Sequence, residues 1–456
     1  MKMCLKRFLP ALACMAAVLL PLLGGCANGT SDDGKTSDDG EGSVSFVIDS
    51  SLSRFIASRA EIASRRSVAD DGVYIDVALL GDYSASKTVS ITSESNITVS
   101  FDEIPIGSQV SVEASGYAMV SSQRKDFCSG SSSPITVTKG QNDVSVTMDM
   151  VPIYITSNGS IATGDGSEEH PLGSMTDVAT LLALINYPGR YTVKVNGKIT
   201  GAQEIPGTLT TALARSLTIE GTGSNAEFDG NSSLHSLQIA TPVPVTIKNL
   251  KVTGGTVGIS CGQTGLSADV TVSSGTNVQG NARGIEVVRG TVTLDGGNVK
   301  DNTTKGGVRV GTEGTFVMKN GEISGNSSDE CGAGVYVYNT FKMEGGIIRG
   351  NQLTSSTGKG SAICPAYSSN RIILQGNIEI SGDIYLTGYG KIELGGNIST
   401  TDGIALTLGS SASFWGPGTM ILEGDPSVVG ESSGGFSATI EDGGGIPMIG
   451  FDGTIQ

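Results

Sequence analysis

Glu286, Arg309 and Tyr336 are the residues of this sequence best placed to do chemistry. They occupy the same outward position of three successive repeat units. In a sheet built from such repeats, neighbouring Cα atoms stand about 4.8 Å apart. A carboxylate beside a guanidinium on neighbouring strands usually makes a cross-strand salt bridge. Tyr336 and Tyr338, with Tyr385 and Tyr389 farther along, offer aromatic faces for stacking, or cover for sheet edges. Other chemistries are poorly served. With only His170 and His235 in the chain, neither a histidine metal site nor a Ser-His-Asp triad has a basis. The carboxylates are scattered and do not recur as the pair, about 5–10 Å apart, that glycosidases use. Glycine runs lie between strands instead of linking a strand to a helix, so no phosphate loop is present. The expectation is therefore no metal, no cofactor and a weak case for an enzyme.

These residues lie within a repeating pattern, the strongest signal in the chain. Two apolar residues placed two apart recur, giving the columns Val292, Phe316, Phe341, Ile372, Ile392 and Leu294, Met318, Met343, Leu374, Leu394. A second set follows at Val278, Val299, Ile323 and Ile348. Three residues later stand Asn281, Asn302, Asn326 and Asn351, spaced 21, 24 and 25 apart. Asparagine tolerates left-handed backbone and can build an amide ladder between coils, so this column is read as structural. A third set starts at Gly284, Gly307 and Gly334. Three short strands per repeat cannot bury their apolar faces alone; stacked as coils, with each strand parallel to the next, they can. This predicts a parallel β-helix over 153–409, with 410–456, including Trp415, forming final coils and a cap.

Composition agrees. The chain has 66 glycines among 456 residues and only 16% charged residues, which excludes a helix-rich protein. A net charge of −16 argues against a nucleic-acid partner. Before the coils, alternation within 43–151 predicts strands at 44–48, 73–80, 88–92, 97–101, 109–114, 135–138 and 144–148, enough for a small β-sandwich. Arg54, Arg59, Arg65 and Arg66 form a basic cluster, read as a solvated loop or short helix. Residues 27–42, with TSDDG twice, read as a flexible acidic tether.

Lys2, Lys6 and Arg7 precede an apolar run at 8–23, too short and proline-interrupted for a membrane span, so 1–25 reads as an export signal. Its end, Leu23-Gly24-Gly25-Cys26, resembles the lipobox of bacterial lipoproteins. That resemblance implies cleavage before Cys26, a diacylglycerol on its thiol, and a body outside the cytoplasm held to the membrane by lipid. In enteric bacteria, Ala27 after the cysteine would favour the outer membrane.

Of the other cysteines, Cys261 falls in the apolar column of Val287, Val310 and Val337, and Cys364 aligns with the outward column of Tyr336. Cys331 lies in a turn. Cys331 and Cys364 are the one pair spaced about a coil apart, and thus the one disulfide worth testing.

Residues 101–114 and 135–147 resemble the prealbumin-like modules of bacterial surface proteins. The run GAGVYV (332–337) followed by TFKMEGGIIRGN (340–351) resembles the glycine-rich β-helix repeats of adhesins and polymorphic membrane proteins. Upstream, 153–159, 164–171 and 177–185 resemble the entry of right-handed pectate-lyase-like β-helices, where an amphipathic helix caps the first coil. Ser174 or Thr176 would N-cap that helix and Pro188-Gly189 would end it. These resemblances imply a lipid-anchored surface protein whose β-helix is a structural or adhesive surface for host protein, matrix or glycan. The alternative is a polysaccharide lyase or glycoside hydrolase acting on acidic glycans. A pectate-lyase-like site uses calcium-binding carboxylates and an arginine base, which makes Glu286 and Arg309 the catalytic candidates. Neither histidine lies in a Gly-His-Gly element, and Arg371-Ile372-Ile373 lacks the lysine of Arg-Ile-Lys.

Overall fold

The computed structural model describes residues 41–48, 52, 56, 69–91, 96–120, 123–388, 390–409, 418–432, 435–441, 449–450 and 452–455. Outside them lie the expected signal, Leu23, Gly24, Gly25, Cys26 and most of the tether. Arg54, Arg59, Arg65, Arg66, Tyr389 and Trp415 lie outside them too.

Strands begin at once: β1 (Glu41–Ile48), β2 (Ala69–Gly81), β3 (Ala85–Ile91), β4 (Ile97–Pro105), β5 (Gln109–Val120), β6 (Gln123–Ser131), β7 (Ile135–Thr136), β8 (Gly140–Val144) and β9 (Thr147–Met150). They form two sheets. β1 is antiparallel to β4 and parallel to β8. In the other, β2 joins β3 to β5, β5 joins β6 and β7, and β6 joins β9, all antiparallel. Alternate residues such as Val44, Phe46 and Ile48, or Ile75, Val77 and Leu79, are buried. Leu52 and Ile56 are helical, four apart, and buried. Ile56 lies against Gly116 of β5, where any Cβ would come within 2.4 Å of it.

Two expectations need correction. The strand expected at 144–148 is two strands, because residues 145–146 carry the chain from one sheet to the other. β6 carries no alternation signal in QRKDFCSGS; the polar side chain of Arg124 reaches across to the neighbouring strands instead. Arg124 bridges to Asp76 at 2.5 Å and stacks over the Tyr117 ring at 3.7 Å.

The second sheet runs on into the repeats. Asp149 of β9 pairs with Arg190 in Gly189–Val195, and Ile153–Ile155 pairs with the same strand. From there the chain forms stacked coils with three strand faces. On the first face, Gly189–Val195, Ala214–Gly221, Val245–Lys248 and Ala268–Ser273 pair in parallel, each with the next. Parts of Arg283–Lys300, Val308–Ser324, Thr340–Arg349, Arg371–Ile380 and Ile392–Ser399 continue the series. The second face runs from Lys198–Thr200 through Glu227–Asp229, Lys251–Thr253 and Asn277–Gln279. The third runs from Gln203–Ile205 through His235–Ile239 and Val257–Cys261 into Arg283–Lys300 and Val308–Ser324. It then passes through Val335–Val337, Ile363–Pro365, Asp383–Leu386 and Ile404–Leu408.

The two first-face columns named from the sequence pair residue by residue, and all their members are buried. Phe316 and Phe341 stack with ring centroids 6.0 Å apart. The helix Met175–Ile185 buries Met175, Val178, Leu181, Leu182 and Ile185. Ser174 is its N-cap, its hydroxyl accepting the Asp177 N–H at 3.1 Å. The helix ends at Asn186, which adopts a left-handed φ of 51°, before Pro188 is reached. Near the C-terminus, Leu422–Gly424 pairs with Ile392–Leu394 and Phe436–Ile440 with Ile404–Leu408, so coil pairing persists beyond 410. Among the described residues no helix is long and apolar enough to cross a membrane.

Candidate functional site

The asparagine ladder sets the geometry of the third face. Asn302 Oδ1 accepts both the backbone N–H of Asn281 (3.1 Å) and its Nδ2 (3.2 Å), while Asn302 Nδ2 donates to the Val278 carbonyl (3.1 Å). Asn326 and Asn351 repeat the pattern. All four asparagines are buried and engaged within the stack, so the column is structural rather than a ligand strip. Against it lies a column of glycines. A Cβ on Gly284 would come within 2.6 Å of the Gly307 carbonyl and 2.7 Å of Asn302 Nδ2; on Gly307, within 2.8 Å of both the Gly334 carbonyl and Asn326 Nδ2. Third-face strands therefore start with glycine because the next coil leaves no room for a side chain.

Beyond these glycines, Ser260, Glu286, Arg309, Tyr336 and Cys364 form one row across successive coils. The row is less open than its outward register suggests. The Glu286 side chain keeps only 17% of its exposure, because Arg283 and Arg309 close over it. Arg309 meets Glu286 at 2.6 Å and stacks over the Tyr338 ring at 4.9 Å. Arg283 stands in the column of His235 and Val257. It donates to the Lys305 carbonyl at 3.2 Å and to Glu330 at 3.4 Å, and Lys305 reaches Glu330 at 2.8 Å.

Arg283, Lys305, Arg309 and Glu330 line a cleft of about 380 Å³ with Thr256, Tyr336 and Tyr338, a volume within the range of small-ligand sites. One wall is aromatic. Tyr336 and Tyr338 lie 4.7 Å apart, joined by a hydroxyl–hydroxyl bond of 3.0 Å, and Tyr367 meets Tyr338 edge-on at 6.1 Å while 60% exposed. Tyr385 is bonded to Glu441 at 3.0 Å, with Lys359 5.9 Å from its ring centre.

Electrostatics define what the cleft can do. Burial opposes the Arg309 charge, but the hydrogen bond and charge of Glu286 outweigh it and raise its pKa above the usual value. A guanidinium held in that way is a poor proton acceptor. Arg283 moves the other way: burial lowers its pKa against the pull of Glu286 and Glu330. Burial, then the bond to Tyr338, pushes the Tyr336 phenol up. Burial lowers the pKa of His235, opposed by Glu286. Among the described residues, no group of three or more His, Cys, Asp or Glu is arranged to hold a metal ion.

Arg283, Lys305, Glu330 and Tyr367 were not singled out by sequence reasoning. Arg283 stands in a strand column with His235 and Val257 that is not uniformly apolar, so its inward place carried no signal, and the other three lie in corners without period. Cys364 keeps its expected register opposite Tyr336 but is buried, because the corner carrying Cys331 covers it. Cys261 is buried in the apolar column opposite Val287. A second aromatic surface, on β2, β5 and β6, stacks Tyr74 on Tyr117 at 5.4 Å beneath Arg124. Beside it, Asp76, Glu113, Asp149 and Arg190 border a shallow concavity of about 700 Å³. Although larger, it is lined mainly by small side chains, and the third-face cleft has the denser set of convergent groups. No protein-family model matches the chain, and no curated protein or solved structure matches it significantly.

Proposed function

We propose that this protein is a lipid-anchored bacterial cell-surface protein whose coil stack, a right-handed parallel β-helix, acts as a structural and adhesive surface. In this reading the N-terminal β-domain is a prealbumin-like accessory module. The third-face cleft holds a glycan, or a polar segment of a host or matrix protein. The observation that carries the reading is that Tyr336 and Tyr338, with Tyr367 edge-on to Tyr338, share one cleft with Arg283, Lys305 and Arg309. Sugars present apolar C–H faces and polar rims, which suit an aromatic wall opposite fixed charges. The three cations are matched by Glu286, Asp329 and Glu330, which favours a neutral or zwitterionic ligand over a polyanion. The anchor rests on the lipobox-like Leu23-Gly24-Gly25-Cys26.

Arrays of glycans and matrix proteins probed with the full chain test the binding role. Tyr338→Ala and Tyr367→Ala should each weaken any hit by about tenfold, the scale of an aromatic hot spot, with the circular dichroism spectrum unchanged. Hits insensitive to both changes remove the cleft from the proposal. For the anchor, incorporation of labelled fatty acid should vanish in Cys26→Ala. The lyase alternative is tested by incubation with acidic polysaccharides and calcium: unsaturated ends that disappear in Arg309→Ala would replace binding with catalysis.

A further inference from the structure

Cys331 stands on the corner before one third-face strand, and Cys364 lies within the strand of the next coil, Ile363–Pro365. The Gly332 N–H donates to the Lys359 carbonyl at 2.9 Å and the Gly334 N–H to the Ser361 carbonyl at 3.0 Å, so the turn bearing Cys331 lies against the segment leading into Ile363–Pro365. Gly360, at φ +64°, folds tightly onto the strand that follows it: a Cβ there would come within 2.3 Å of the Ile363 carbonyl and 3.0 Å of the Cys364 Cβ. Gly332, next to Cys331, thus bonds Lys359, and Gly360, next to Lys359, packs on Cys364, so both cysteines border the Lys359–Gly360 peptide. They differ in access, Cys364 being buried and Cys331 half-buried. We propose that Cys331 and Cys364 form a thiol–disulfide exchange site, in which Cys331 attacks and Cys364 resolves, and whose oxidation clips two coils together beside the tyrosine wall.

The chemistry balances with a disulfide donor, such as the disulfide form of a periplasmic or extracellular thiol oxidoreductase, or glutathione disulfide. The Cys331 thiolate attacks one donor sulfur, the donor S–S bond breaks, and a donor thiolate leaves. Cys364 then loses its proton to water and attacks the Cys331 sulfur, expelling the donor's second thiolate. Two electrons pass from the cysteine pair to the donor, which ends as two thiols.

The environment suits this division of labour. The neighbouring Cys364, with the Lys359 backbone N–H and ammonium charge, lowers the Cys331 thiol to about 6 against the opposing effect of burial. An attacking thiol of that kind is largely thiolate at neutral pH. The neighbouring Cys331, then burial, hold the Cys364 thiol up, and its S–H donates to the Pro365 carbonyl at 3.6 Å. Once Cys331 is in a mixed disulfide, its negative charge is gone, and Cys364 is freed to ionise and resolve. Cys128 and Cys261, both buried and pushed up to about 12 by desolvation, serve as internal controls.

The test uses the full chain, reduced and then exposed to glutathione disulfide, followed by non-reducing peptide mapping. The expected product joins the Cys331 and Cys364 peptides, with Cys128 and Cys261 still alkylatable only after unfolding. Cys364→Ser should stop at a glutathione adduct on Cys331, and Cys331→Ser should give neither adduct nor cross-link. Iodoacetamide labelling of Cys331 should rise with pH around about 6. Retention of two free thiols in the oxidised wild type, or an adduct on Cys364 in place of Cys331, overturns the assignment. Circular dichroism on both variants verifies that each is folded, and the wild-type map decides the matter even if one is not.

Discussion

Asn302 shows how much a single side chain does in the stack. Its amide accepts from two groups of the coil before it and donates to the Val278 carbonyl and Asn326 Oδ1. Asn302→Ala leaves several buried polar groups without partners, each costing about 1–3 kcal/mol. The expected loss is about 2–5 kcal/mol, read as a lower urea midpoint with an unchanged slope; a change under 0.5 kcal/mol would contradict the ladder's role. This column was legible in the sequence because its spacing repeats and asparagine has a distinct use at coil corners. Lys305, Glu330 and Tyr367 were not, since corner loops vary in length and carry no period to align.

At the scale of the strand, the first face was legible because alternation at a period of two matches the pleat. The Phe316–Phe341 stack is its bulkiest part, both rings fully buried. Phe341→Ala should cost about 3–5 kcal/mol through lost burial and a cavity, whereas Thr293→Ala, on the outward side of the same face, should stay within about 0.5 kcal/mol. Equal effects in denaturant titrations would mean the inward and outward assignments are wrong. The capping helix supplies a second check. Ser174→Ala removes the acceptor of the Asp177 N–H and should cost about 1 kcal/mol. Hydrogen exchange should quicken across Met175–Ile185 and leave the coils around residue 300 unaltered. β6 eluded prediction for a physical reason: its stability comes from Arg124 bridging to Asp76 and stacking on Tyr117, partners 48 and 7 positions away that meet it only in the sheet.

Across the whole molecule, ion pairs run along the outside of the coils and join one to the next. Glu220 links Lys194 at 2.7 Å and Lys248 at 3.1 Å, so one carboxylate ties three coils. Arg349 pairs with Glu322 at 2.9 Å and Arg371 with Glu393 at 2.6 Å. The hydrogen bond from Lys194 lowers the Glu220 pKa, and that from Arg349 lowers the Glu322 pKa. A carboxyl whose folded pKa lies below its unfolded value stabilises the fold above the unfolded value, near 4.5 for Glu, and loses that contribution as pH falls through the folded one. Stability should therefore hold from pH 7 to about 5 and decline below about 4.5. Each pair is partly exposed and contributes only about 0.2–1 kcal/mol, so the decline is the sum of many rungs. Lys194→Met should shallow the acid limb of a plot of urea midpoint against pH; an unchanged limb would remove Glu220 from the account.

What the sequence determined by itself was the architecture: an all-β chain of stacked parallel coils, their inward columns and asparagine corner, all of which follow from periodicity. The tertiary structure decided everything that depends on corners. Glycine illustrates the division, since its excess pointed to turns, but only the packed stack shows Gly284 and Gly307 pressed against the asparagine ladder. Likewise, the row of Glu286, Arg309 and Tyr336 was readable as a column, yet its closure by Arg283 and its joining to Tyr338 and Tyr367 were not. The pairing of Cys331 with Cys364 could be suspected from spacing, while their unequal exposure arises where the Cys331 corner lies against the segment leading into Ile363–Pro365. Periodic contacts are local copies of one rule and survive translation into sequence; contacts between irregular corners are set by where each loop lands, which only the folded chain fixes.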